Sequence, residues 1–189
     1  MLYHRISRGR IWIGTDQDGI DILDKKTGEV RQLRNKAGDE RSLQNNTVMV
    51  LYEDSSETMW VGTYKKGISY FNECAFKFGA EYIGDISCIE EDKEGYVWLG
   101  TNDVGIIYWN SVTGNRAAFP QKGMDKLTTD AIVCILKASD GKLWIGTFGG
   151  GLICYDNGRI IQKTYRNGKI LWLIIMYWLW LKISRGLYG

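Results

Sequence analysis

The side chains that could do chemistry in this 189-residue sequence lie in a few short clusters. Asp16-Gln17-Asp18, Asn45-Asn46, Tyr64-Lys65-Lys66, Gly84-Asp85, Asn102-Asp103, Thr129-Asp130 and Phe148-Gly149-Gly150 bring together carboxylates, amides, a cation and aromatic rings. Those groups recognise the hydroxyls and faces of sugars in pockets. Asn, Asp and Gly also populate turns for reasons of their own, so a structural turn is the first reading of each cluster. Asp16-x-Asp18-Gly19 begins like a calcium loop but lacks the further spaced ligands and terminal Glu that an EF-hand needs. Glu90, Glu91 and Asp92 imitate a catalytic carboxylate pair, yet they close an apolar stretch and are expected to face solvent at a strand end. Cys74, Cys88, Cys134 and Cys154 form no CxxC pair, and His4 is the one histidine, which leaves a zinc site poorly supplied. The cysteines read as small buried apolar residues. With no Gly-x-Ser-x-Gly and no phosphate loop, the sequence is expected to hold no catalytic set, metal or cofactor.

What must position these clusters is a repeat. The pentapeptides IWIGT (Ile11 to Thr15), MWVGT (Met59 to Thr63), VWLGT (Val97 to Thr101) and LWIGT (Leu143 to Thr147) set their Trp residues 48, 38 and 46 positions apart. Four residues after each Thr comes a Gly and a second apolar run: GIDILD from Gly19, GISYFN from Gly67, GIIYWN from Gly105 and GLICYD from Gly151. Upstream of three pentapeptides lies another strand-like stretch, TVMVLYED ending at Asp54, DISCIEED ending at Asp92 and AIVCILKASD ending at Asp140. A weaker fourth follows in EVRQL (29–33), NRAAF (115–119) and RIIQKTY (159–165). Four short antiparallel strands every ~40–50 residues is the size of a propeller blade, whose radial stacking buries both sheet faces. The fold class expected is therefore all-β, a partial β-propeller of about four blades with four antiparallel strands per blade. Trp12, Trp60, Trp98 and Trp144 are expected to pack between blades. Gly14, Gly62, Gly100 and Gly146 would permit close backbone approach, and the Thr would favour the strand through its branched Cβ.

The pattern of apolar strand, Glu-Asp, x-x-Gly-x, Leu/Ile-Trp-Ile/Val/Leu-Gly-Thr, x-x-x-Gly-Leu/Ile resembles the two-component regulator propeller repeat over Arg10 to about Arg166. The second repeat departs from it with Glu57 at the turn glycine, and the fourth with Ala138 and Ser139 in place of the acidic pair. The resemblance implies a noncatalytic, periplasmic ligand-sensing segment of a membrane-bound hybrid histidine kinase. Many such receptors sense glycan fragments and control polysaccharide utilisation. An oligosaccharide ligand, the rest of a parent propeller and a second copy in a homodimer are the partners expected. The alternatives are a protein-interaction propeller without a small ligand, and a propeller lyase or hydrolase.

Strand alternation then fixes which clusters share a face. An inner strand begun at one rim ends at the other, so 45–46, 84–85 and 129–130 fall on the same rim as the loops after each Gly-Thr. On that rim Asp16, Gln17, Asp18, Asn45, Asn46, Tyr64, Lys65, Asn102, Asp103 and Phe148 are the candidate ligand residues.

Residues 1–9 and 167–189 do not fit the repeat, and both carry Ile-Ser-Arg-Gly, at Ile6 to Gly9 and at Ile183 to Gly186. If the tail's codons are read one frame over, Met176 into Tyr177 must give Val, Tyr177 into Trp178 Leu, and Trp178 into Leu179 Ala or Val. The codons that follow permit Glu, Asp, Lys, a small residue and Gly, ending on a Trp at the Tyr188–Gly189 junction. Ile-Ser-Arg-Gly in that frame permits Asp-Lys-x-Gly, which the third repeat shows openly as Asp92-Lys93-Glu94-Gly95. Both ends are thus expected to be frameshifted pieces of the repeat, in a fragment of a longer propeller gene. The first blade would start without its inner strand. The competing reading of the tail is a short amphiphilic interfacial or core segment.

A formal charge of +2 with Lys and Arg dispersed gives no basic stripe for nucleic acid. The head has no apolar stretch of the ~7–15 residues a signal peptide needs. The run of twelve apolar residues from Ile170 to Leu181 is shorter than the ~20 required to span a membrane.

Overall fold

A strand that is apolar on both sides needs cover on both, and each pentapeptide here is such a strand. The computed structural model describes residues 3–164 apart from 40, 73–76, 93, 111–112, 121–123, 128, 139 and 158. It contains four antiparallel four-stranded sheets, each in simple sequence order. Blade one is β1 (Tyr3–Ser7), β2 (Arg10–Gly14), β3 (Ile20–Asp24) and β4 (Val30–Leu33). Blade two is β5 (Val48–Glu53), β6 (Met59–Thr63), β7 (Gly67–Asn72) and β8 (Lys77–Glu81). Blade three is β9 (Ile86–Glu91), β10 (Tyr96–Thr101), β11 (Ile106–Asn110) and β12 (Arg116–Phe119). Blade four is β13 (Ile132–Lys137), β14 (Leu143–Thr147), β15 (Gly151–Asp156) and β16 (Arg159–Thr164).

Two elements differ from expectation. The first blade has an inner strand, because the head forms β1 and pairs with β2 from Tyr3↔Gly14 to Ser7↔Arg10. Pairing needs only backbone groups in register, and a sequence unlike the other inner strands still supplies those. The second blade gains β8, whose pattern is broken by Gly79. A Cβ there would fall within 1.9 Å of the Tyr70 ring, so the glycine that hides the strand makes room for the cross-strand aromatic. The tail from 167 onward lies outside the described residues.

The core is three layers, one at each junction between consecutive blades. Trp12, Ile20 and Ile22 meet Leu43, Val48, Met59 and Val61. Trp60 and Ile68 meet Ile86, Ile89, Val97, Leu99 and Trp109. Trp98 and Ile106 meet Ile132, Ile135, Ile145, Ile153 and Tyr155. Within β6, Met59 and Val61 therefore face the blade before and Trp60 the blade after, the period-2 alternation of a strand buried on both faces. Two of the Trp rings reach toward an aromatic of the next blade: Trp12 lies 6.0 Å from Phe71, and Trp60 lies 5.1 Å from Trp109. At the third junction Trp98 meets Phe119, which in turn meets Tyr155.

Trp12, Trp60 and Trp98 are buried, whereas Trp144 at the last blade is only half-buried. Among the described residues no blade follows the fourth, and a blade face left uncovered invites association. The isolated chain is therefore expected to self-associate, and Trp144→Glu is expected to reduce the associated fraction in light scattering after gel filtration. A stable monomer with one cooperative unfolding transition would contradict this.

The repeat Thr does more than fill a strand. Thr15, Thr63, Thr101 and Thr147 each donate the side-chain hydroxyl to the carbonyl of the Gly four residues later, at 2.8–3.2 Å. Those glycines, Gly19, Gly67, Gly105 and Gly151, all have φ between 78° and 84°, which a residue with a Cβ adopts at a cost. Thr and Gly together fix the loop whose tip carries the candidate residues.

Candidate ligand-binding rim

The loops expected to share a rim do so, and backbone hydrogen bonds join them both within blades and across them. Val48 N donates to Thr15 O at 2.9 Å, Gly19 N to Asn46 O at 2.8 Å, and Asp16 and Thr47 form an antiparallel bridge. Tyr64 N donates to Thr47 O, Asn102 N to Asp85 O, Gly105 N to Asp130 O and Phe148 N to Ala131 O, at 2.8–3.0 Å.

Most of the polar candidates are engaged in holding this frame. Asn45 donates Nδ2–H to Tyr64 O at 3.0 Å and accepts from Thr47 N at 2.9 Å. The Asn46 side-chain oxygen accepts from Asn35 N at 2.6 Å. Asp85 accepts from Lys65 N at 3.2 Å and from Asn102 Nδ2 at 3.2 Å, while its own N–H donates to Asp103 Oδ1 at 3.1 Å. Gln17 is exposed, with φ 99°, and Asp18 faces Arg34 at 3.7 Å. Lys65 lies with Nζ 5.0 Å from the Tyr64 ring, and its proton affinity is raised chiefly by the Tyr64 hydroxyl beside it.

The aromatic rings remain open. Tyr64 is 41% exposed and Phe148 79%. Tyr82 (71%), just before the loop leading into β9, and Val104 (51%), in the β10–β11 loop, join them on the same rim. Sequence reasoning missed these two. A large apolar residue inside a turn was the available signal, since nothing local requires it there.

The other candidate chemistry is structural. Glu91 was expected to face solvent, but its carboxylate accepts from Ser55 N at 2.8 Å and Ser55 Oγ at 2.6 Å in the neighbouring blade. Asp92 accepts from Glu94 N and Tyr96 N through Oδ1 and from Trp98 Nε1 through Oδ2. Both are half-buried, because a strand end beside another blade is not open to solvent. The turn hydrogen bonds of blade four place Ala138, with Lys137 before it, where Asp92 and Glu91 stand. Burial pushes the Cys88 thiol up to about 12 and raises Cys134 and Cys154 as well, so none is a ready thiolate. Among the described residues no three His, Cys, Asp or Glu side chains gather into a metal-holding group. His4 lies in β1, and Cys74 lies outside the described residues.

A cleft of about 480 Å³ opens between blades one and two, with Ile22, Leu33 and Phe71 on its apolar side and Arg10, Asp24 and Arg31 among its polar lining. It exists because Ile22 and Leu33 stand at the register positions that Tyr108 and Phe119 fill in blade three.

Residues 42–65, 83–103 and 126–149 match the family described as two component regulator propeller. No curated protein matches the sequence. Among solved structures, the fold resembles the extracellular domain of the hybrid two component system BT3049 of B. thetaiotaomicron, with TM-score 0.66 and 22% identity, over 88% of this chain and 23% of that one. The extracellular domain of the hybrid two component system BT4673 of B. thetaiotaomicron gives TM-score 0.68 and 18% identity, over 86% and 24%. The computationally designed Ika4 protein gives 0.60 and 15%, over 82% of this chain and 90% of that one. The chain spans about a quarter of the two natural extracellular domains.

Proposed function

Since the chain carries two component regulator propeller repeats in three of its four blades, we propose that it is a ligand-recognising segment of a hybrid two-component sensor, exposed on the periplasmic or outer side of a membrane. The ligand we propose is an oligosaccharide. The observation that carries this reading is the rim, where Tyr64, Tyr82 and Phe148 stand open, Tyr64 and Phe148 on loops pinned by backbone hydrogen bonds to Thr47 and Ala131 at the start of their own blade's inner strand. Exposed rings on a rigid frame offer flat apolar faces for the C–H faces of sugar rings, with little side-chain entropy lost on binding. The Tyr64 hydroxyl and Lys65 ammonium beside them offer donors to sugar oxygens. In this reading the segment performs no catalysis. Ligand held across several blades would favour one arrangement of the sensor over another and so pass a signal onward.

The test is calorimetry and thermal shift of the full chain against a panel of neutral and acidic oligosaccharides. A Tyr64→Ala/Phe148→Ala variant is expected to bind the selected oligosaccharide at least ~10-fold more weakly, the loss of about 1.4 kcal/mol or more. Its melting temperature is expected to stay within about 2 °C, because both side chains are exposed. Unchanged affinity in that variant, or no oligosaccharide in the panel that binds the parent chain, would sink the proposal.

A further inference from the structure

In two of the three junctions a blade lays its own tyrosine beside its repeat Trp. The residue paired with Trp60 is Tyr70 and the residue paired with Trp98 is Tyr108, with ring centroids 5.4 and 5.5 Å apart. Tyr70 reaches outward to the fourth strand, where its hydroxyl lies 2.1 Å from the place a Cβ on Gly79 would take. Tyr108 is paired with Ala117 on its own fourth strand, likewise a small residue. Blade three adds a further ring, Phe119, 5.2 Å from Trp98.

Blade one has the same strands without the rings. The residue paired with Trp12 is Ile22, and Ile22 is paired in turn with Arg31. Leu33 stands at the register position of Phe119. Neither β3 nor β4 carries an aromatic residue, and the ring that Trp12 meets is Phe71 of blade two. The cleft of about 480 Å³ opens at this place, with Ile22, Leu33 and Phe71 on its apolar side and Arg10, Asp24 and Arg31 among its polar lining. Its volume falls in the range of ~300–1,000 Å³ that small-molecule sites occupy. Arg10 and Asp24 lie at the ends of β2 and β3 away from the loop of Asp16 to Asp18, so the cleft is distinct from the rim.

We infer that this cleft is a second binding site, for a small phenolic compound whose ring takes the place that Tyr70 and Tyr108 fill in the other two junctions. A ring there lies against Phe71, Ile22 and Leu33, where an aromatic neighbour adds to the gain from burial alone. Its hydroxyl reaches the fourth strand at Arg31, an exposed residue whose guanidinium donates, with the Asp24 carboxylate available to accept. A guanidinium also sits favourably over a ring face. Arg116 does this in blade three, 5.8 Å from the centre of the Trp109 ring. The inference does not rest on the oligosaccharide proposed for the rim.

The probe is p-cresol, the tyrosine side chain as a free molecule, titrated into the full chain and followed by ligand-observed NMR and thermal shift. A dissociation constant of about 1 mM is expected. At ten times that concentration the melting temperature should rise by about 3–5 °C. 4-Methylcyclohexanol, similar in size but without an aromatic face, should bind at least ~3-fold more weakly. Ile22→Tyr and Leu33→Phe each return a ring to blade one, and each is expected to weaken p-cresol binding at least ~10-fold. Arg31→Ala, at an exposed position, should leave the melting temperature in place and weaken binding about 5-fold. Tyr64→Ala/Phe148→Ala should leave p-cresol binding unchanged, which separates this site from the rim. No p-cresol binding up to about 10 mM overturns the site. So does unchanged affinity in Arg31→Ala and in whichever ring-filling variant folds, or binding lost with the rim variant.

Discussion

Asp54→Ala is expected to destabilise the protein by about 3 kcal/mol, because one buried carboxylate serves three donors at once. Asp54 is 4% exposed and accepts from Ser56 N at 2.9 Å, Thr58 N at 2.9 Å and Trp60 Nε1 at 2.7 Å. Alanine leaves the indole of Trp60, itself 1% exposed, without an acceptor in the middle of the junction between blades two and three. For a chain of this size the loss corresponds to roughly 6–12 °C in melting temperature. Trp60→Phe removes the donor together with the need for it, so in the double variant the cost of Asp54→Ala should fall by about 1–2 kcal/mol. Urea unfolding of the four proteins supplies the cycle. Equal costs of Asp54→Ala in the presence and absence of the indole would show that the carboxylate acts on the turn alone. The buried indoles of Trp12 and Trp109, which live without an acceptor, show that the fold tolerates such orphans; the prediction is that adding Trp60 to them is expensive.

Gly62→Ala is expected to cost about 2–3 kcal/mol by a different route. A Cβ at position 62 would lie 2.6 Å from Val50 Cγ1, 2.8 Å from Ile86 Cγ2 and 2.9 Å from Ile86 Cβ. Val50 belongs to the inner strand of the same blade and Ile86 to that of the next, so the glycine is where two inner strands close over a third chain segment. Both neighbours are β-branched and stiff at χ1, which leaves backbone movement as the way to make room. Gly100 is caught in the same manner between Cys88 and Ile132. Val50→Ala should therefore recover part of the stability lost in Gly62→Ala, although alone it destabilises by opening a void. Chemical unfolding of the single and double variants measures this, and additive costs would refute the close-approach explanation.

These two positions show why so much of the fold was legible. Trp, Gly and Thr recur because each solves one packing problem that every blade shares: filling the junction, letting the next inner strand in, and pinning the loop. Strand alternation and turn glycines are local features, so the second, third and fourth strands of most blades could be placed within a residue or two. β8 escaped because Gly79 interrupts its pattern for the sake of Tyr70, a contact across the sheet. β1 escaped because pairing is a backbone property to which its side chains give little clue.

The candidate rim was legible as a location and not as a set of available groups. Strand order alone brought Asp16, Asn45, Tyr64, Asn102 and Phe148 to one side. Whether an amide there is free to meet a ligand depends on acceptors contributed from loops distant in sequence: the partners of Asn45 and Asn102 lie 19 and 17 residues away. The same holds for the Glu91 carboxylate, whose partner Ser55 is 36 residues distant. Sequence by itself determined the blade, its period and the rim on which each loop falls, since these follow from alternation and turn chemistry within some forty residues. Tertiary structure alone decided which polar groups are consumed in joining the loops and which rings stay open, because each depends on what segments distant in sequence present.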